Sequence, residues 1–185
     1  MGIFMNIYLM RHGKTVWNEK GYTQGRSNNR LSKNGKIITE KTAKENENLQ
    51  IDAIFCSPLM RTVQTANIMN KFHNAKIIKD PLLVEIDQGI FTGRHKDSYN
   101  EKENKQRFNR DPKCGMESYQ SVVDRSKKFI ENLKKTSYNH VLIITHNVNA
   151  SLLERLLLNY SIDFSNPSHI RCFNQAELKK ISINN

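Results

Sequence analysis

Five residues, Val141 to Thr145 (VLIIT), constrain the fold more than any other stretch of the chain. Every position is apolar or β-branched, with no polar alternation, which is the pattern of a strand buried on both faces. Such strands belong to sheets covered by helices on both sides, and helical patterns flank this one. Before it, Ser118 to Lys135 places Tyr119, Val122, Val123, Ser126, Ile130 and Leu133 on one face, with Lys127, Lys128, Glu131 and Lys134 elsewhere. After it, Val148 to Leu158 reads as an apolar helix.

The same alternation of strand and helix runs through the rest of the chain. Met5 to Met10 (MNIYLM) predicts a first buried strand, and residues 13 to 31 a loop with Gly21 and Gly25. Ser32 is a suitable N-cap for a polar helix from Lys33 to Asn48, although Gly35 weighs against it. Asp52 to Cys56 predicts a strand, Met60 to Lys71 a helix, and Lys76 to Lys79 a short strand. Pro81 to Gly115 is mainly loop. Its polar part, residues 94 to 113, is either a short lid helix or a mobile segment. Ala176 to Ile183 predicts a final edge strand. The order predicts an α/β three-layer sandwich with a mostly parallel central sheet flanked by helices. No repeat, linker or composition break divides the 185 residues, so one domain over 1–185 is expected.

Composition narrows the class. Hydrophobic residues make up 37% and charged residues 25%, in short periodic blocks, which favours a globular chain over a disordered one. No apolar run is long enough to span a membrane, and the N-terminus lacks the pattern of a secretory signal. Gly2 is a weak myristoylation signal because Asn6 stands where Ser or Thr is wanted. A cytoplasmic location follows as the expectation. Cys56, Cys114 and Cys172 are odd in number and far apart, which argues against disulfides and against zinc. The net charge of +11 permits an anionic partner. The lysines are spread along the whole chain, however, so a phosphorylated metabolite is expected rather than nucleic acid.

In sheets of this kind ligands bind beyond the carboxyl ends of the strands. Arg11-His12, the turn from Ser57 to Arg61, and His146 each follow a predicted strand directly. Three remote segments therefore bring two His and two Arg to one rim. Guanidinium forks match phosphate oxygens, and neutral imidazole is a nucleophile towards phosphorus. Neighbouring Arg charge favours the neutral form. A cationic pocket stabilises phosphoryl transfer by position and charge, so no metal or cofactor is expected. A leaving alkoxide needs a proton, and Glu85 and Asp87 are both placed to supply it.

These segments resemble a known family. Arg11-His12-Gly13-Lys14-Thr15-Val16-Trp17-Asn18 resembles the RHGxTxxN motif of the histidine phosphatase superfamily, which has the phosphoglycerate mutase-like fold. Residues 57 to 66, SPLMRTVQTA, resemble its second signature. Glu85 to Gly93, Gly115 to Ser118 and Thr145-His146 resemble three further segments in the family's order. The resemblance implies that His12 is phosphorylated and that Glu85, rather than Asp87, donates the proton. It implies that Arg11, Arg61, His146 and Asn18 hold the phosphoryl group, with Gln24, Gly25 and Asn147 beside it. Lys14, Asn28, Arg30 and Asn147 depart from the family's usual residues, and its later Arg is absent around Ser151. These departures surround the phosphate pocket and leave the substrate open.

Hydrolysis of a small phosphomonoester is the expected activity. The competing expectation is a 2,3-bisphosphoglycerate-dependent phosphoglycerate mutase, which carries a longer segment before the Gly115 turn. A non-catalytic nucleic-acid-binding module is the third. Ser57 is expected to shape a turn rather than act as a nucleophile, and Trp17 to pack beside the phosphate loop. His73, His140 and His169 are expected to be structural or exposed, while His95 could reach the substrate. No membrane partner is expected, and the chain is read as a monomer or homodimer.

Overall fold

In the computed structural model, which describes residues 4–165, 170 and 173–184, five strands form one sheet. They are β1 (Phe4–Arg11), β2 (Ala53–Cys56), β3 (Lys76–Lys79), β4 (His140–Thr145) and β5 (Leu178–Asn184), in the order β3-β2-β4-β1-β5. β1 pairs in parallel with β4, β4 with β2, and β2 with β3, while β5 runs antiparallel along β1. The helices are α1 (Val16–Glu19), α2 (Lys33–Glu45), α3 (Met60–Met69), α4 (Glu101–Phe108), α5 (Tyr119–Lys134) and α6 (Asn147–Leu157).

Side chains of the central strands alternate between two apolar layers, as the pleat requires. Ile7, Leu9, Val141 and Ile143 pack with Phe129 and Leu133 of α5 and with Ala150, Leu153 and Leu157 of α6. Tyr8, Met10, Leu142 and Ile144 face the other way, with Ala43 of α2 and Ala66 and Met69 of α3. This is the three-layer α/β arrangement expected from the sequence. Each fully buried Leu or Ile contributes roughly 1.5–3 kcal/mol, which is why the chain's apolar residues concentrate on these faces.

Several boundaries differ from expectation, each for a local reason. α2 stops at Glu45 rather than Asn48 and α3 at Met69 rather than Lys71. The loop 13–31 contains α1, a single turn made stable by a reciprocal cap between Thr15 and Asn18. Asp52 lies outside β2, where its carboxylate accepts from the backbone N–H groups of Asn139 and His140 and tethers the start of β4. The polar stretch before Gly115 forms α4, capped by Asn100 and Glu103, with acidic residues in the first turn and Lys105 and Arg107 in the last. The final strand starts at Leu178 because Ala176 has φ +59°, which no strand residue adopts. On α5 the buried residue is Phe129, with Ile130 only partly covered.

Gly35 does not stop α2. A Cβ there would lie 1.8 Å from the Lys14 carbonyl oxygen, so glycine lets the first turn of α2 seat on the backbone just past His12. Among the described residues no helix is long and apolar enough to cross a membrane. Cys56 and Cys114 are buried free thiols. Gly2, His169 and Cys172 lie outside the described residues.

Candidate active site

His12 follows β1 and extends its ladder by one bond, its N–H donating to Thr145 O at 3.0 Å. The next residue, Gly13, donates its N–H to Thr65 Oγ1 at 3.0 Å, which ties the loop to α3. Inside this frame His12 is 3% exposed. Its Nδ1 lies 2.7 Å from Gly13 O. A carbonyl can only accept, so the proton sits on Nδ1 and the lone pair on Nε2.

That lone pair meets Arg61. The Arg61 Nε–H is shared between His12 Nε2 at 3.2 Å and His146 Nδ1 at 3.1 Å. The two imidazole rings stand edge to face with centroids 5.1 Å apart. Arg61 is itself 1% exposed and oriented by carbonyls, donating from Nη1 to Ser27 O at 2.6 Å and from Nη2 to Gly25 O at 2.8 Å. His146 N-caps α6 and is fully buried. Because its Nδ1 accepts from Arg61, its Nε2–H donates to Ser57 Oγ at 2.9 Å.

The stretch from Ser57 to Thr65 thus has a task at each polar position. Ser57 orients His146, and Arg61 faces both imidazoles. Thr62 Oγ1 donates to Ser57 O and closes the turn. Gln64 Oε1 accepts from Leu31 N, and Thr65 holds Gly13. Leu59, the N-cap of α3, makes no side-chain cap bond. Asn28 supplies that service from the loop, its Oδ1 accepting from Met60 N at 2.7 Å.

Electrostatics keep both imidazoles uncharged. Burial pulls His12 well below the ordinary histidine value, and the Arg61 and Arg11 charges push it the same way against a small opposing contribution from Gly13 O. Burial likewise dominates at His146, followed by Arg61 and His12. Arg61 itself comes down to about 10, chiefly through burial, with the Glu85 carboxylate opposing the fall.

A cleft of about 600 Å³, counted to its open mouth, lies over this group and admits a small molecule. Arg11, His12, Asn18, Arg61, Glu85 and Asn147 line it, with Gln24 and Gly25. Arg11 is steadied by a 2.6 Å bond from Nη1 to Phe173 O. Asn18 and Gln24 both spend their side-chain oxygens on Thr15 Oγ1, which leaves their amide NH₂ groups as the donors for an anion. Gly25 contributes its carbonyl to Arg61, and a Cβ there would stand 3.1 Å from Gln88 N. Asn147 Oδ1 accepts from Phe173 N, so its side chain is turned to the strap after α6. Of the two carboxylates weighed from sequence, Glu85 lines the cleft and Asp87 does not; Asp87 Oδ1 accepts from Gly89 N.

His95 does not line the cleft. It packs against Tyr22 at 5.4 Å and accepts from Asp97 N, while the neighbouring Lys96 lines the cleft instead. Trp17 packs on Tyr22 at 5.9 Å, beside the loop. His140 pairs with the Asn6 amide. Sequence reasoning missed Tyr22, Gln88, Lys96 and Arg107, which also line the cleft. They sit in loops and in α4 without a local pattern. The only available signal was the positive charge of a stretch between two recognisable turns. Among the described residues no cluster of His, Cys, Asp and Glu is arranged to hold a metal ion.

Known proteins fit this geometry. Residues 7–185 match the model of the histidine phosphatase superfamily (branch 1). Phosphoserine phosphatase 1 of Hydrogenobacter thermophilus is 33% identical over 151 residues, covering 78% of this chain and 72% of its own. The α-ribazole phosphatase structure from Shigella flexneri superposes with a TM-score of 0.84 at 25% identity, covering 97% of this chain and 91% of its own. A phosphoglycerate mutase structure from Bacillus anthracis superposes at 0.78 and 18% identity over 99% and 89%, a likeness of fold alone.

Proposed function

The chain belongs to branch 1 of the histidine phosphatase superfamily and is a phosphatase, and from that premise we propose that it hydrolyses a small phosphomonoester through a phosphohistidine on His12. The observation that carries this reading is the 2.7 Å bond from His12 Nδ1–H to Gly13 O, which leaves the Nε2 lone pair beside Arg61.

His12 Nε2 attacks phosphorus, and the P–N bond forms as the ester P–O bond breaks. Glu85 gives its proton to the leaving oxygen. Arg11, Arg61 and His146 face the equatorial oxygens, with the Asn18 and Gln24 amides beside them, and stabilise their charge. Water then attacks phosphorus, its proton returns to Glu85, and the P–N pair returns to Nε2. No step asks His12 to lose a proton first, since burial and two guanidiniums already hold it neutral.

A phosphoglycerate mutase is the competing reading. It returns the phosphoryl group to substrate and needs water kept out during the exchange. Hydrolysis is favoured because the cover over this cleft is α4 alone, a helix of eight residues. Phosphate release and conversion of 3- to 2-phosphoglycerate are to be measured on the same preparation. Release should dominate; fast interconversion with little free phosphate would transfer the chain to the mutase reading.

A further inference from the structure

The cleft holds more positive charge than a single phosphoryl group requires. Beyond Arg11 and Arg61, Lys96 and Arg107 line it, and Glu85 is the one carboxylate among its lining residues. Both extra cations are held by the fold. Lys96 donates its backbone N–H to Gly21 O at 3.0 Å, and the preceding His95 bridges Tyr22. Its place is therefore set by the same loop that supplies Asn18 and Gln24. The Arg107 guanidinium lies 4.1 Å from the Tyr99 ring centroid and 5.8 Å from that of Phe91, a cation–π seat that fixes its direction. Tyr99 is in turn bonded through its hydroxyl to Thr23 Oγ1 at 2.6 Å. Glu103, a turn before Arg107 on α4, is occupied by Arg94 through bonds of 2.6 and 3.1 Å.

We propose that Lys96 and Arg107 form a second anion subsite, so that the substrate is a phosphomonoester carrying a further anionic group, a carboxylate or a second phosphate, on the leaving-group side. The inference rests on the phosphatase reading above. It assigns specificity to two residues outside the motif-bearing segments. With the reacting phosphoryl group on His12 and Arg61, a second anion on Lys96 and Arg107 orients the ester oxygen towards Glu85. A phosphomonoester with a neutral leaving group lacks that second hold.

The test compares matched pairs on the whole chain. One pair is 3-phosphoglycerate and glycerol 3-phosphate; the other is fructose 1,6-bisphosphate and fructose 6-phosphate. p-Nitrophenyl phosphate reports whether the phosphoryl machinery is intact. The unmodified protein should favour the doubly anionic member of at least one pair, and the responding pair distinguishes carboxylate from phosphate. Lys96→Gln and Arg107→Gln should each lower kcat/KM for that member by about tenfold or more, as for a lost hydrogen bond to a charged group. Glycerol 3-phosphate, fructose 6-phosphate and the aryl phosphate should be spared, and Arg107→Lys should restore part of the preference. Lys96 is exposed, so its variant keeps the test open if Arg107→Gln does not fold. Absence of preference in the active protein, or equal loss on every substrate, overturns the subsite alone. Inactivity of the unmodified protein on all of them overturns the phosphatase reading as well.

Discussion

At the scale of single residues the chemistry turns on which nitrogen of His12 keeps its proton. The Gly13 carbonyl retains it on Nδ1, and Arg61 faces the other nitrogen. Replacing His12 by Ala should lower kcat by about 10⁴-fold or more and abolish covalent labelling by radiolabelled substrate, because the nucleophile's partners cannot act without it. Labelling that survives the substitution would remove His12 from the mechanism. Arg61→Lys should cost about 10²-fold in kcat, since a single ammonium cannot reach two imidazoles, two carbonyls and a phosphoryl oxygen at once. His12, Arg61 and His146 were legible because each ends or follows a strand with a recognisable turn. Ser57 was legible only as a turn. Its bond to His146 comes from segments 89 positions apart, which no local pattern records.

Among the elements, α3 is the one on which the site is built. It delivers Arg61, anchors the His12 loop through Thr65, and borrows its N-terminal cap from Asn28. Asn28→Ala should therefore lower the unfolding free energy by about 1 kcal/mol, the usual worth of a lost N-cap, and should slow turnover by loosening Arg61. Urea unfolding read beside kcat separates the two effects; unchanged stability would mean that the bond does not cap the helix in solution. Most elements could be read from period and cap signals to within a few residues. α1 and the end of α2 escaped because single turns depend on side-chain bonds more than on periodicity. Phe129 escaped because both it and Ile130 fit an apolar face, and only packing against Phe55, 5.8 Å away, chooses between them. Gly35 was misjudged for a related reason: its cost to the helix is local, and its gain, the close approach to Lys14, is not.

For the molecule as a whole, burying two neutral imidazoles couples folding to acid. The unfolded chain takes up protons at His12 and His146 near pH 6.5, whereas the folded chain resists until well below that. Stability from these two groups is full above pH 6.5 and is lost as the pH falls towards their folded values. The slope should approach about 2.7 kcal/mol per pH unit, two protons' worth, between pH 6.5 and 5.5. Denaturant unfolding at pH 7.5, 6.5 and 5.5 measures it. A His12→Asn variant should show about half the slope, and an unaltered slope would mean that other groups are responsible. The layered architecture behind this burial was readable from the order of strands and helices alone. The order of strands in space was not, since nothing in a local window says that β1 lies between β4 and β5.

That position of β1 also dictates when the enzyme can come into being. Its two neighbours are the last two strands of the sheet, and Asn6 faces His140 across 134 intervening positions. A ribosome therefore releases the nucleophile early and its partners late. β1 must wait, with its apolar side chains unpaired, until β4 and β5 have been synthesised. Contacts this distant in sequence slow folding and prolong exposure to misassembly. The nascent chain gains its catalytic rim only in its closing steps, so truncations that remove β5 should yield aggregation before they yield a weaker enzyme.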